Sequence, residues 1–438
     1  MTLDGVNSVG SASILEMRKR AGDWLLRHQG SSGAWGLRLK ADGPDPSAFV
    51  TSLSGLALLN IDRAATERAA EWLAGEQLED GAFGEGAGRH LYRPAATGMG
   101  TWLLCAVDRE RYAAQIAKAV DYFRGCQEKE GIHRGGFGAA RTGVFGTPSH
   151  PNREVTMGGP SITDTMFAAA ALRYAEVAPS DPLWREMVDY VHCCHNTPLI
   201  NNRPDVQEYL ADNRFCLSGD GGMLLTLDRF RRRLEAREAV GQNLTPIIST
   251  GLATMQGMFI YLGAGLSHSS PEVTITLDWL RQYYTVSEHA RYADALNFDF
   301  DQSPRWPEGH PGLTVTDGPD TQGSSVPATR LKSSRGFHFV DRGDAVEIVP
   351  DRHGDPSQAG LYLYLWLMAE CLQELEIKTL RTADDREHSW VNEMASHLHS
   401  LQRPDGSWSN RNPQFMDNDP ALGTSLVLNT LNVLVPRS

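Results

Sequence analysis

Gln402-Arg403-Pro404-Asp405-Gly406-Ser407-Trp408 follows an amphipathic run and precedes one crowded with small and apolar residues. The same arrangement, a glutamine with an aromatic six residues on and glycine-rich turn residues between, recurs from Gln29 to Trp35 and from Gln77 to Phe83. A stretched copy runs from Gln127 to Phe137. One such match means little, but copies in a constant context make a repeat, and a repeat dictates architecture.

The distance from Gln29 to Gln77 is 48 residues and from Gln77 to Gln127 is 50, the period of a helix pair with its loops. Amphipathic runs with a charged face are expected at Ile14–Arg27, Ala69–Leu73, Ile116–Phe123, Trp184–His192, Val273–Tyr284 and Trp390–Leu401. Between them lie runs of Ala, Gly, Ser, Thr and Leu at Val50–Leu59, Ala95–Val107, Ser161–Tyr174, Ile248–Tyr261, Gly360–Leu375 and Ala421–Leu434. A helix apolar all round is buried on both sides, whereas one with a charged face borders water. The alternation predicts an all-α (α/α)6 barrel, an inner ring of six helices within an outer ring of six, with long inserts in the middle. Residues 1–13 read as a flexible N-terminus and 14–438 as a single toroid domain. The stretch 299–355, rich in Gly, Pro, Asp and Ser, reads as a surface insert or lid.

Fifty-four acidic residues stand against 41 basic ones, a formal net charge of −13, so a nucleic-acid partner is not expected. The one dense basic cluster, Arg231-Arg232-Arg233, reads as a solvated face. Six cysteines without the spacing of a disulfide framework fit a reducing cytoplasm. Neither a secretory h-region near Met1 nor an apolar run of membrane-spanning length is seen, so the expectation is a cytoplasmic protein with at most peripheral membrane contact.

The turns Gln29 through Gly36 and Gln402 through Trp408 resemble the QW repeats of the squalene-hopene cyclase and oxidosqualene cyclase family, and protein prenyltransferase β-subunits carry a related turn. The resemblance covers the first three units and the last well, and the middle poorly. It implies an α/α toroid around a hydrophobic cavity for an isoprenoid. Family members that cyclise by protonation use the middle Asp of Asp-x-Asp-Asp-Thr-Ala, placed where an inner helix begins. The corresponding residues are Ser161-Ile162-Thr163-Asp164-Thr165-Met166, in which Asp164 and Thr165 match and Thr163 takes the donor's place. A hydroxyl cannot protonate an alkene, so a carboxylic acid kept protonated by desolvation has to replace it.

Asp164 is one candidate; Asp417 and Asp419, just before the last inner run, are the others, since helix N-terminal N–H groups support a conjugate base there. An Asp before Pro at a helix start also serves as a cap. Carbocations are stabilised by aromatic faces that offer no quenching lone pair. Trp102, Phe167, Tyr261 and Tyr362 are the expected cavity walls, with Thr163 beside them; Phe259, Tyr364 and Trp366 also lie in the inner runs. No cofactor is expected, with Mg²⁺ entering at Asp299 and Asp301 only for a diphosphate substrate. His192-Cys193-Cys194-His195 holds four metal-ligating residues, but on a helix they cannot all meet in one tetrahedral site. Asp384-Asp385 reads as a cap of an outer helix. The expected function is a protonation-initiated terpene or meroterpenoid cyclase acting on an isoprenoid or prenylated small molecule. A prenyltransferase-like enzyme and a non-catalytic isoprenoid-binding toroid are the alternatives.

Overall fold

All twelve expected helices form in the computed structural model, which describes residues 11–37, 46–84, 93–138, 143–147, 150–155, 160–212, 215–225, 245–295, 331–332, 337–341, 346–350, 355–410, 412 and 415–435. The outer ones are α1 (Ser11–Arg27), α3 (Arg63–Gly75), α5 (Ala113–Cys126), α7 (Pro182–Cys194), α10 (Pro271–Tyr283) and α12 (Trp390–Leu401). The inner ones are α2 (Ala48–Leu58), α4 (Arg93–Asp108), α6 (Ile162–Tyr174), α9 (Gly251–Gly263), α11 (Leu361–Glu374) and α13 (Pro420–Leu434). A short helix that the periodicity did not signal, α8 (Pro204–Asp212), lies between α7 and α9. Ser11 to Ser13 belong to α1 rather than to a flexible tail.

Each inner helix packs on the next in the order α2, α4, α6, α9, α11, α13, and α13 packs back on α2, so the ring closes. Every residue of α2 except Phe49, and every residue of α9 except Gly263, is buried. That double-sided burial is what the small-residue runs permit: a Cβ on Gly98 of α4 would stand 2.2 Å from the Phe167 carbonyl oxygen of α6. Outer helices cover the seams, α3 touching α2 and α4, α5 touching α4 and α6, and α1 touching α13 and α2.

The glutamine turns lock neighbouring units together. Gln29 Nε2 donates to Gly33 O of its own turn and to Ala65 O of α3, both at 2.8 Å. Gln77 repeats this with Gly81 O (2.9 Å) and Gln115 O (2.8 Å), and Gln127 with Gly135 O (3.1 Å) and Leu183 O (3.2 Å). Gln402 donates to Gly406 O (3.0 Å) and to Met17 O of α1 (3.3 Å), which joins the last unit to the first. The turn glycines have φ near +90°, and a Cβ on Gly81 or Gly135 would fall 2.1 or 1.8 Å from a carbonyl oxygen of the next outer helix. Only glycine fits both demands.

Two substitutions hide the pattern in the middle of the chain. His195 stands where a glutamine is expected, with Nε2 3.3 Å from Thr276 Oγ1 of α10, and Tyr284 donates its hydroxyl to Glu393 Oε2 of α12 at 3.0 Å. With these two, six side chains just past the outer-helix ends each reach the next outer helix. The turn aromatics serve their own unit: Trp35 and Trp408 are buried, and their Nε1 atoms donate back to Leu25 O (2.9 Å) and Leu398 O (2.8 Å) of the preceding helix. Their backbone N–H groups donate to inner-helix threonines, Thr51 and Thr424 at 2.9 and 3.0 Å, as do those of Phe83, Phe137 and Met223 to Thr97, Thr165 and Thr254.

Connections from inner to outer helices are short, such as residues 59–62 and 109–112, whereas those from outer to inner helices are long, such as 127–161, 195–250 and 284–360. The long ones open on the mouth where the inner helices begin. They carry strand pairs, among them the antiparallel β1 (Gly143–Thr147) and β2 (His150–Val155). The antiparallel sheet β3 (Leu331–Lys332), β4 (Phe337–Asp341) and β5 (Val346–Pro350) falls within the expected insert; residues 299–330 lie outside the described residues. Asp384 and Asp385 form the turn of a small hairpin, Leu380–Arg381 with Glu387–His388, and do not cap α12. Asp385 there has φ +64°, which a helix start excludes.

Candidate functional site

Trp102 of α4 and Trp366 of α11 face each other with ring centroids 5.5 Å apart. Their helices stand opposite in the six-membered ring, so this contact crosses the axis. Tyr174 of α6 stacks on Trp102 at 4.0 Å, Trp366 Nε1 donates to Glu370 Oε1 at 3.1 Å, and Arg173 pairs with Glu374 at 2.7 Å. Together they form a floor across the half of the bore nearer the inner-helix C-termini. Arg173 also lies over the rings of Tyr174 and Phe259, at 5.7 and 5.5 Å.

Above the floor the walls are aromatic. Phe167 of α6 meets Phe49 of α2 edge to face at 5.5 Å, reaching past α4. Thr163, Phe167, Ala170 and Tyr174 recur at the spacing of one helix face, so Thr163 shares the bore-facing stripe, about 16 Å of helix rise above Tyr174. Its hydroxyl donates to Gln256 Oε1 of α9 at 3.0 Å. Phe49 and Thr163 are half-buried, which places them beside open space at the mouth.

The three candidate acids differ in surroundings. Asp164 is half-buried in the first turn of α6, where Ser161 Oγ accepts from its backbone N–H (3.0 Å) and donates to its Oδ2 (2.8 Å). Asp419 is buried as the cap of α13, Oδ1 accepting from Ala421 N (2.8 Å) and Leu422 N (3.2 Å). Asp417 is buried at the rim where α11 and α13 begin, and its Oδ1 has no hydrogen-bond partner among the described residues. Burial pushes its carboxyl up to about 7, while the backbone N–H groups of Asp417 and Tyr362 and the amide of Asn410 pull it back down. Asn410 Nδ2 lies 3.4 Å from Asp417 Oδ2. Desolvation thus holds Asp417 loaded with a proton near neutrality.

His289 fastens this rim. Leu252 N donates to its Nε2 at 2.8 Å, so Nδ1 carries the proton and donates to Ala359 O at 2.7 Å. Burial lowers its pKa to about 4. One neutral imidazole thereby joins the starts of α9 and α11; Tyr292 stacks on it, and Phe415 packs on Tyr292.

Not every expected wall faces the bore. Tyr261 lies in the outer seam between α7 and α9, its ring 5.8 Å from His192 and 6.2 Å from His195, so it is not a cavity wall. Tyr362 sits against Asp417, and burial raises its phenol well above the usual range. Leu363, one residue on, is the half-buried neighbour. His192 pairs with Glu272 at 3.3 Å, and among the described residues no three His, Cys, Asp or Glu side chains are grouped to hold a metal. Asp294 lies 3.7 Å from Arg291. Asp299, Asp301 and the Arg231–Arg233 cluster lie outside the described residues. Among those described, no helix is long and apolar enough to cross a membrane.

Sequence reasoning missed Gln256, Asn410 and Phe49. A single amide within the apolar run Gly251–Gly263 was the available signal for Gln256; nothing marked Asn410 as a neighbour of Asp417.

No protein-family model matches the chain, and no curated protein matches it in sequence. Solved structures do. A type II terpene cyclase from Scytonema, MstE, in complex with geranylgeranyl dihydroxybenzoate is 12% identical over 97% of this chain and 98% of that one, with a TM-score of 0.47. A glycosidase is 10% identical over 99% and 100%, with a TM-score of 0.43. A protein from Actinoplanes is 14% identical over 97% and 100%, with a TM-score of 0.39. Cyclase and glycosidase stand side by side at these values, so the likeness does not discriminate between chemistries.

Proposed function

We propose that this chain is a protonation-initiated cyclase of an isoprenoid or prenylated small molecule, with Asp417 as the proton source. The observation that carries this reading is a fully buried carboxyl, raised to about 7, at the rim of a bore walled by aromatic rings. The turn motifs' resemblance to the squalene-hopene cyclase family agrees with it.

In this mechanism the substrate's chain enters from the mouth and lies over Phe49 and Phe167, with Trp102, Trp366 and Tyr174 beneath it. Asp417 transfers its proton to an alkene carbon, and the carboxylate left behind is held by Asn410 and the start of α11. The other alkene carbon becomes cationic, the next double bond attacks it, and loss of a proton restores an alkene. Nothing is added overall, so the product is an isomer of the substrate. Aromatic faces stabilise the travelling charge without trapping it, and the floor closes the bore to water from below.

Geranylgeranyl dihydroxybenzoate, the ligand of the cyclase structure above, is a practical first probe. Full-length protein incubated with it is expected to yield a product of unchanged mass and altered retention, and Asp417→Asn is expected to abolish the product. Turnover retained in Asp417→Asn but lost in Asp164→Asn would move the acid to Asp164. If a panel of prenylated phenols and prenyl alcohols is neither bound nor isomerised, the cyclase reading fails.

A further inference from the structure

We infer that Gln256 and Thr163 form a recognition site for a hydrogen-bond-accepting oxygen of the substrate, at the top of the bore. The inference rests on the cyclase reading for the ligand's class. Gln256 is buried on the inner helix α9, and its Nε2 has no hydrogen-bond partner among the described residues. The hydroxyl of Thr163 donates to Oε1 at 3.0 Å, and with the amide oxygen engaged there the NH₂ end is turned away from Thr163. Both of its N–H bonds are therefore on offer.

Burying an amide donor with nothing to receive it is costly, and the residues one helical turn from Gln256 and Thr163 on the same faces, Leu252, Phe259 and Phe167, are apolar and buried. Thr163 is half-buried on the stripe that carries Phe167 and Tyr174 into the bore, so the pair borders the space the ligand occupies. A pure hydrocarbon would leave the donor unpaired. An alcohol, ether, epoxide or carbonyl oxygen satisfies it and is thereby held at one depth, which sets where along the chain protonation occurs. The pair replaces acid chemistry at this position with neutral recognition, and the acid stands elsewhere on the rim.

The test measures binding to the full chain of geranylgeraniol, of its 14,15-epoxide and of the matched hydrocarbon lacking both oxygens, in wild type, Gln256→Leu and Thr163→Val. Wild type is expected to prefer at least one oxygenated ligand over the hydrocarbon by about tenfold to a hundredfold, the range for satisfying a buried donor. Preference for the alcohol places the recognised oxygen at the head of the chain, and preference for the epoxide places it at the far end. Gln256→Leu is expected to erase the preference while still binding the hydrocarbon, and Thr163→Val to weaken it by freeing the amide to turn. Equal binding of all three ligands by wild type, as when a bound water satisfies Nε2, overturns the inference and leaves the cyclase reading intact. So does a preference that survives in Gln256→Leu. Failure of every isoprenoid to bind would instead strike the cyclase reading on which the inference rests.

Discussion

Replacing Asp417 by asparagine preserves the side chain's size and removes its proton. In the folded protein the carboxyl is raised from 3.8 to about 7 by burial, so the native state holds that proton more tightly than the unfolded chain does. Its contribution to stability is complete below pH 3.8 and is lost as pH rises through 7. A shift of roughly three units amounts to about 4 kcal/mol, of which roughly 2–3 kcal/mol falls between pH 5 and pH 8. His195 and His289 oppose this trend. Burial lowers their pKa to about 3 and about 4, so the stability they contribute is present above 6.5 and lost as pH falls. Comparing wild type with Asp417→Asn at each pH cancels both histidines. Taking neutral Asp and Asn as near-isosteres, urea unfolding is expected to show the variant about 1–2 kcal/mol the more stable at pH 5, where the unfolded Asp is already ionised, and about 4 kcal/mol the more stable at pH 8. Wild-type cyclisation is expected to fall about tenfold per pH unit above 7 as the acid unloads. Parallel stability curves for the two proteins would refute the buried-acid argument, whatever the activity.

Gly81→Ala, whose Cβ would meet Lys118 O at 2.1 Å with φ at +89°, is expected to cost roughly 3 kcal/mol. Gly125→Ala, with nothing within 4 Å of its Cβ, is expected to stabilise by about 0.4–1 kcal/mol; melting temperatures that rank the two the other way would contradict the turn geometry. Gln402→Leu loses the bonds to Gly406 O and Met17 O at a cost of about 2 kcal/mol, and hydrogen exchange should rise in α1, whereas Gln77→Leu should leave α1 protected. Equal exchange in both variants would mean that Gln402 does not close the ring. Trp102→Ala removes the centre of the floor and is expected to destabilise by about 3–5 kcal/mol in urea unfolding; a loss under about 1 kcal/mol would show that the Trp102–Trp366 contact does not hold the bore.

Periodicity made the helices legible. The apolar runs were small-residue-rich on every face, which only burial on both sides explains, and each lay within a few residues of its predicted place. The glutamine turns announced the repeat because their glycines must hold φ near +90° against a neighbour's carbonyl, a demand few residues satisfy. Where His195 and Tyr284 perform the glutamine's task, the pattern vanished although the architecture did not, since a ring nitrogen or phenol bridges the same gap with different chemistry. The floor was half legible: Trp102 and Trp366 were evident as inner aromatics, but not that their helices stand opposite.

The amino-acid order by itself determined how many helix pairs there are, which of them are inner, and that acids stand where inner helices begin. These properties are local, being set by helical period, residue size and capping. Only the tertiary structure decided that Tyr261 turns outward, that Gln256 meets Thr163 across 93 positions, and that Asp417 is buried where its carboxyl is pushed up to about 7. A carboxyl's proton affinity follows from how much water is excluded around it and which donors face it. At Asp417 burial raises that affinity, while the N–H groups of Tyr362 and Asn410, set beside it by the tertiary structure, lower it.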